Sequence, residues 1–311
     1  MKKAFKKLCC VVLVLSLLTF CGCSKNAEND KENTESLITL KSAFQRNEID
    51  LDANHIEISI ISDETVRFTN RNADFYKEFI SFLENTKLSS KKIPKPDAER
   101  FYISIREDRN IFPFHIYKND VVKIHITSIE SRSYYCKGIY KKFIKTFDKF
   151  FSESKKYCRV AQTPIAGMNE YRISSKDDVT LEYDCISRNP YIFYNSGIVH
   201  LWVQSGTGTL TRSAKFFDVE KGLISPEYYG QTDYFGELVI STSSSQIFIF
   251  KMFSGEELYC FDQFEEPLGD CTENIQSAYF TEDGTKIMVK YFNADFETRT
   301  QIFTIPQSIT D

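Results

Sequence analysis

Two histidines have a spacing that could let them act together on a predicted β-hairpin. His115 lies in the strand 111–117 and His125 in the strand 121–127, and the short connection between them favours antiparallel pairing. Because side chains alternate along a strand, both imidazoles are expected on the face opposite to the apolar residues. Imidazole binds zinc, but a zinc site needs at least three protein ligands, and the sequence offers no third. We therefore predict two solvent-facing histidines and no metal site.

Two other patterns that carry chemistry elsewhere are incomplete here. Ser152-Glu153-Ser154-Lys155 has the Ser-x-x-Lys spacing of penicillin-binding enzymes, but the Lys-Thr-Gly strand that completes such a site is missing. Ser205-Gly206-Thr207-Gly208 is rich in glycine, but the Gly-Lys-Ser/Thr of a phosphate-binding loop does not follow it. The sequence therefore predicts no catalytic residue and no soluble cofactor.

Lysines form a stripe on a helix predicted near residue 140. Lys141, Lys145 and Lys149 recur every four residues, with Lys142 beside them, on the side opposite an aromatic stripe. The ordinary interpretation is a solvated helix face. The alternative is contact with anionic lipid headgroups, which contributes about 1 kcal/mol per lysine near a membrane surface.

The cysteines that follow Cys23 are odd in number. Five follow Cys23, so at least one thiol has no partner within the chain. Cys260 and Cys271 flank a segment with a Pro267-Leu268-Gly269 turn, which favours a disulfide between them. The alternative is two buried thiols that act as small apolar side chains.

The N-terminus has the organisation of an export signal. Four lysines lie within residues 2–7, and residues 8–20 carry no charge, a run too short for a membrane-spanning helix of about 20 residues. The stretch 17–24, with Gly22 directly before Cys23, resembles the lipobox of bacterial lipoproteins. The resemblance implies removal of residues 1–22 and a diacylglyceryl group on the Cys23 sulfur. An ordinary secretory signal with incidental cysteines is the alternative.

A lipid on Cys23 would decide where the protein is found. Two acyl chains are enough for stable attachment, so the expected address is the cell membrane, lipid-anchored on its extracytoplasmic face. Residues 23–36 have almost no apolar side chains and are predicted to be a disordered tether. After removal of residues 1–22 the chain would carry 35 basic and 43 acidic residues, a formal charge of −8. This negative charge gives no support to nucleic-acid binding.

Hydrophobic periodicity predicts an α+β domain over residues 37–156. Apolar residues at offsets of three and four indicate one helix from Phe75 to Leu83, capped by Asn72, and a second from Ile139 to Phe151. The expected arrangement is two helices on one face of an antiparallel sheet. Its strands are predicted at residues 56–61, 64–69, 100–107, 111–117, 121–127 and 132–136.

A β-rich domain is predicted over residues 161–311. Many short strands at regular spacing indicate a sandwich, a barrel or propeller blades. The clearest strands are predicted at residues 179–185, 197–204, 212–218, 236–241, 246–253, 276–281, 285–292 and 298–305.

A loose internal repeat favours the propeller among these architectures. The segments 216–222 and 250–256 look like one hairpin used twice, and the segment 279–287 resembles the strand-turn-strand of β-propeller blades in bacterial surface proteins. A propeller-like domain is the expectation, with a sandwich or barrel as the alternative.

These features favour a non-catalytic binding or interaction module at the cell surface, held by its lipid anchor. Its expected partner is a protein or a cell-wall component, and candidate contacts are aromatics near Trp202 and in the segments 228–229 and 234–235. The alternative is a cell-envelope hydrolase whose site is assembled from distant residues, which would require two carboxylates about 5 to 10 Å apart in a cleft.

Overall fold

Alternating apolar residues build the predicted sheet of the N-terminal region. The computed structural model describes residues 38–44, 50–51, 53, 55–62, 65–107, 110–126, 130–163, 165, 168–186, 190–205, 211–270 and 274–310. Six antiparallel strands pair in the order β3-β2-β5-β6-β7-β8, and two short strands, β1 and β4, pair separately. The bounds are β1 Ile38–Thr39, β2 Glu57–Ile61, β3 Thr65–Thr69, β4 Lys87–Leu88, β5 Arg100–Glu107, β6 Asn110–Tyr117, β7 Val121–His125 and β8 Ser131–Tyr135.

The two predicted helices lie on the apolar face of this sheet. Helix α1 (Leu40–Phe44) is short, whereas α2 (Ala73–Asn85) and α3 (Ile139–Tyr157) are long and amphipathic. Asn72 caps α2 as predicted, since its side chain accepts a hydrogen bond from the Phe75 backbone N–H at 3.1 Å. The α+β arrangement is therefore confirmed, and aromatic rings from both helices form its core: Phe75, Phe79, Phe82, Phe143, Phe147 and Phe150.

The rest of the chain folds into successive antiparallel sheets, each made of strands that are consecutive in sequence. Consecutive-strand sheets are typical of propeller blades, whereas Greek-key sandwiches mix distant strands in one sheet. Three strands form the second sheet: β9 Cys158–Gln162, β10 Asn169–Ser174 and β11 Thr180–Ile186. The third contains β12 Tyr191–Asn195, β13 Ile198–Ser205, β14 Thr211–Asp218, β15 Leu223–Ile224 and β16 Tyr228–Tyr229. The fourth contains β17 Thr232–Phe235, β18 Leu238–Thr242, β19 Ile247–Lys251 and β20 Glu257–Phe261. The fifth contains β21 Ile275–Phe280, β22 Lys286–Phe292 and β23 Thr298–Thr304, before the short helix α4 Gln307–Thr310.

The repeated hairpins of the sequence are hairpins of the structure. Gly222 follows β14 and Gly255 follows β19, both with positive φ, in the turns that lead to β15 and β20. Gly284 turns the chain between β21 and β22 at φ 69°, where a Cβ atom would lie 2.2 Å from the Phe235 ring. Only glycine fits this turn, because both the backbone conformation and the space exclude a side chain.

One apolar core passes from the N-terminal sheet into the β-rich region. It contains Phe68 and Phe75 together with Tyr194, Phe217 and Val219 of the third sheet. The residues between 38 and 310 accordingly belong to one compact unit. Two smaller cores lie between the third, fourth and fifth sheets. No helix among the described residues is both long and apolar enough to cross a membrane.

Candidate functional site

The structure brings His115 and His125 together on the sheet face that the alternation predicts. Their ring centroids are 5.1 Å apart, and Tyr102 lies 5.0 Å from His115. Burial lowers the pKa of His115 to about 4, assisted by the positive charges of His125, Arg100 and Lys123. Among the described residues, no group of three or more His, Cys, Asp or Glu side chains is placed to hold a metal ion.

The predicted lysine stripe lies along the exposed side of α3. Lys141, Lys142, Lys145 and Lys149 are all exposed, and two of them cover aromatic rings. Lys149 Nζ is 4.4 Å from the centroid of the Phe150 ring, and Lys142 Nζ is 5.5 Å from that of Phe82. Contact between this stripe and lipid headgroups stays a prediction.

Of the three cysteines predicted to carry the lipid or to form the disulfide, the structure describes Cys260. Cys260 is a half-buried thiol on β20, whereas Cys271 and Cys23 lie outside the described residues, so the disulfide and the lipidation stay predictions.

Of the aromatic candidates, Tyr228 and Tyr234 are core residues, at 4% and 7% exposure, whereas Tyr229 is 52% exposed. Tyr228 and Tyr234 therefore stabilise the core, and of these three tyrosines only Tyr229 is exposed enough to contact a partner.

A polar cluster occupies the place where the six-stranded sheet meets the β-rich sheets. We call it the junction cluster, and its members are Glu57, Arg67, Arg71, Asn195, His200 and Asp233. Strand β3 is an edge strand, and it packs against β12, the first strand of the third sheet. Because Ile58, Val66 and Phe68 point to the helices, the residues that alternate with them face the opposite side. The junction cluster begins with these outward residues.

Arg67 and Asn195 join the two sheets at this edge. Arg67 Nη1 donates to the Pro190 carbonyl at 3.3 Å, and its guanidinium lies 4.9 Å from the centroid of the Tyr191 ring. Two residues further along β3, the Thr69 backbone N–H donates to Asn195 Oδ1 at 3.0 Å. Arg67 and Asn195 thus hold two points of the β3 edge against the third sheet.

Arg71 extends the junction to the fourth and fifth sheets. It lies in the turn before α2, and its Nη2 donates to Asp233 Oδ2 at 2.6 Å and to the Phe280 carbonyl at 2.9 Å. The Phe280 backbone N–H donates to the same Asp233 oxygen at 2.9 Å. The Arg71 and Asp233 side chains are only 11% and 2% exposed, so this ion pair is largely shielded from water.

His200 is the most enclosed base of the cluster. It is 8% exposed and lies between Phe193 and Phe216 in register across the third sheet, with its ring 4.6 Å from that of Phe216. Burial lowers the pKa of His200 to about 4, and the positive charge of His55 adds to this effect, whereas Asp233 and Glu57 oppose it. The imidazole is therefore neutral at pH 7.

Several buried polar atoms of this cluster have no hydrogen-bond partner among the described residues. They are Arg67 Nε, Arg71 Nε and His200 Nε2, to which the neighbouring His55 adds its Nδ1. Buried polar groups are almost always paired, and an unmatched donor costs about 1–3 kcal/mol. Four buried nitrogens without a partner among the described residues therefore lie at or beside this junction.

We predict that His200 makes the fold sensitive to acid. The unfolded chain titrates this histidine near its ordinary pKa and the folded chain only near pH 4, so the unfolded state binds more protons between these values. The free energy of unfolding should fall by roughly 3 kcal/mol on this account as the pH falls from 7 to 4. Urea titrations at several pH values should show a shallower pH dependence for His200→Gln. Parallel curves for the two proteins would contradict the prediction.

The carboxylates of the cluster do not form an acid–base pair of the hydrolase type. Burial opposes ionisation of Glu57, but the hydrogen bond with His55 and the charges of His55, Arg106 and His200 outweigh it and lower its pKa. A general acid needs a raised pKa. Asp233 is held by Arg71. The geometry therefore gives the hydrolase alternative no specific support.

A depression of about 460 Å³ lies beside the fourth and fifth sheets. Its lining includes Gln246, Asp262, Phe264 and Glu266. Hydrogen bonds from Asn293 and Arg299 lower the pKa of Glu266, so its carboxylate is already paired. This depression offers fewer unmatched groups than the junction cluster does.

The sequence did not reveal the junction cluster, because its members are far apart in the chain. Arg71 and Asp233 are separated by 162 residues. The one local signal is a polar residue within an otherwise apolar strand, such as His200 between Val199 and Leu201. That pattern marks a buried polar side chain but does not name its neighbours.

Comparisons with known proteins leave the family open. No family model and no curated protein matches the chain. Solved structures that are similar include Hsv2 of Kluyveromyces marxianus, at 10% identity and a TM-score of 0.27, over 70% of this chain and 68% of that one. PorZ, a surface component of the type IX secretion system of Porphyromonas gingivalis, matches at 8% identity and a TM-score of 0.25, over 71% and 34%. The Dos1 propeller matches at 8% and 0.25, over 70% and 67%. Similarity at these TM-scores assigns neither a fold family nor a function.

Proposed function

We propose that this protein is a lipid-anchored binding module on the extracytoplasmic face of the cell membrane, and that it takes its ligand at the junction cluster. The observation that carries the proposal is the group of buried donors without partners where three β-rich sheets meet the N-terminal sheet. Recognition of a ligand requires no catalytic group. It requires binding side chains that are held rigidly, and most residues of the junction cluster lie on strands.

The anchor is supported by the residues at the N-terminus. The basic start, the uncharged run and the Gly22-Cys23 step together have the organisation of a lipoprotein signal. Residues 23–36 would span at most about 50 Å when extended, so the binding module would stay close to the membrane.

Replacement of Cys23 should release the protein from the membrane. In cells fed labelled palmitate, the wild-type protein should carry the label and sediment with membranes, because two acyl chains suffice for stable attachment. Cys23→Ala should lose both properties. The matched control is Cys21→Ala, which should behave like the wild type. The opposite result for the two cysteines would move the anchor to Cys21, and sedimentation of both variants would contradict lipid anchoring.

The binding role is tested by crosslinking in intact cells with the tagged full chain. A cell-surface partner should be recovered with the wild type but not with Cys23→Ala, and its recovery should fall sharply with Arg67→Met. Arg132→Met serves as the control, since Arg132 lies on the exposed strand β8 and pairs with Glu130. Equal recovery with the anchored and unanchored forms would contradict the proposal. Hydrolysis of cell-wall fragments by the purified protein would favour the alternative instead.

A further inference from the structure

The unmatched atoms of the junction cluster define the chemistry of its ligand. Arg67 Nε and Arg71 Nε can only donate hydrogen bonds, and His200 Nε2 can donate in one tautomer. In the part of the chain that the structure describes, every buried side-chain atom without a partner is a nitrogen. The cluster therefore lacks acceptors, and its complement is an acceptor-rich group.

The two acids of the cluster are already engaged. Asp233 Oδ2 accepts from Arg71 Nη2 and from the Phe280 backbone N–H. Glu57 Oε1 lies 3.4 Å from His55 Nε2, and Glu57 Oε2 lies 3.8 Å from Arg106 Nη1. Neither carboxylate is left to match a further cation.

Arg67, in contrast, has no ion pair among the described residues. Its contacts are the Pro190 carbonyl and the face of the Tyr191 ring, and burial lowers its pKa despite the nearby charge of Glu57. A buried guanidinium without a carboxylate partner is a ready site for one negative charge.

Resting on the proposed function, we propose that the ligand presents a carboxylate group to Arg67, with His200 as a further donor. A planar carboxylate matches the fork of a guanidinium. The ligand class is thus a monocarboxylate, or a molecule that ends in one.

Side-chain exposure indicates the direction of entry. The side chains of Arg106 and Glu57 are 35% and 24% exposed, whereas that of Asp233 is 2% exposed. Arg106 is thus the more accessible cation and would attract an approaching anion.

Calorimetric and thermal titrations of the full chain in detergent test the inference. Propionate should bind saturably, whereas propionamide, its uncharged analogue, should not bind at the same ionic strength. At about a hundredfold excess over Kd, propionate should raise Tm by about 5 °C. Arg67→Met should weaken propionate binding at least tenfold, and the control Arg132→Met should leave it unchanged. If Arg67→Met does not fold, Arg67→Lys, which keeps the charge and loses the fork, should weaken binding by a smaller factor.

Several results would overturn the inference. They are no saturable propionate binding up to about 100 mM, equal binding of propionamide, preference for inorganic phosphate, or propionate binding that survives the Arg67 substitutions. These failures can be told apart from failure of the proposed function. If a surface partner is captured but no carboxylate binds, the binding module is supported and the carboxylate ligand is ruled out. If a carboxylate binds but no partner is captured, the carboxylate ligand is supported and the surface-partner role is contradicted.

Discussion

Asp233→Ala should reduce the free energy of unfolding by about 3–5 kcal/mol, because it leaves the buried Arg71 guanidinium without its counter-ion. It also removes the acceptor of the Phe280 backbone N–H, while Arg71 Nη2 keeps only its hydrogen bond to the Phe280 carbonyl. Urea unfolding at neutral pH measures this loss directly. The effect should exceed that of most single substitutions, since it combines an unpaired charge with an unmatched amide.

Two further variants compare the stability contribution of the buried Arg71–Asp233 pair with that of an exposed ion pair. Lys118→Ala breaks the Lys118–Glu99 pair, whose two side chains are each 56% exposed, and should cost no more than about 1 kcal/mol. The double variant Arg71→Met/Asp233→Ala should recover part of the loss, because it removes both charges together. A loss below about 1 kcal/mol for Asp233→Ala would show that the junction pair behaves like a surface pair.

Phe147→Ala should cost about 3–5 kcal/mol, because it opens a cavity at the centre of the helix-covered core. Phe147 is fully buried, and its ring lies 4.8 Å from that of Phe143, 5.5 Å from that of Phe75 and 5.6 Å from that of Phe82. Among the residues that the structure describes, few have so many aromatic neighbours. The same urea titration measures the change.

A neighbouring position on the same helix provides the control for Phe147. Lys145 is exposed, and Lys145→Ala should change stability by no more than about 0.5 kcal/mol. Phe147→Leu should lie between the two, because leucine keeps much of the buried volume. Equal effects of Phe147→Ala and Lys145→Ala would contradict the assignment of α3 to the core.

Hydrophobic periodicity predicted most of the secondary structure correctly, because the periods of strands and helices are local properties of the chain. The strand predicted at 100–107 is Arg100–Glu107, and the Asn72 cap lies where α2 begins. The short strand β17 was not predicted, since Thr232-Asp233-Tyr234-Phe235 has too few residues for a period to show. Strand order was also beyond reach, because β2 pairs with both β3 and the distant β5.

The candidate site was much harder to predict than the fold. Sequence spacing correctly placed His115 and His125 on one face, because both belong to one hairpin. The junction cluster gathers residues from β2, β3, the turn before α2, and three later strands, and only tertiary packing brings them together. Its functional signal, which is the shortage of acceptors, exists only when every neighbour of each buried nitrogen is known.

Binding of a ligand acceptor at the junction cluster can be followed directly by NMR of the arginine Nε–Hε groups. Full-length protein labelled with [¹⁵N]arginine would be purified in detergent and titrated with propionate, and the Arg67 and Arg71 signals would be assigned by their loss in Arg67→Met and Arg71→Met. Both signals should shift saturably and with one Kd, whereas the Arg132 signal should stay unchanged. Signals of Arg67 and Arg71 that remain fixed while propionate binds elsewhere, or does not bind, would contradict binding at the junction cluster.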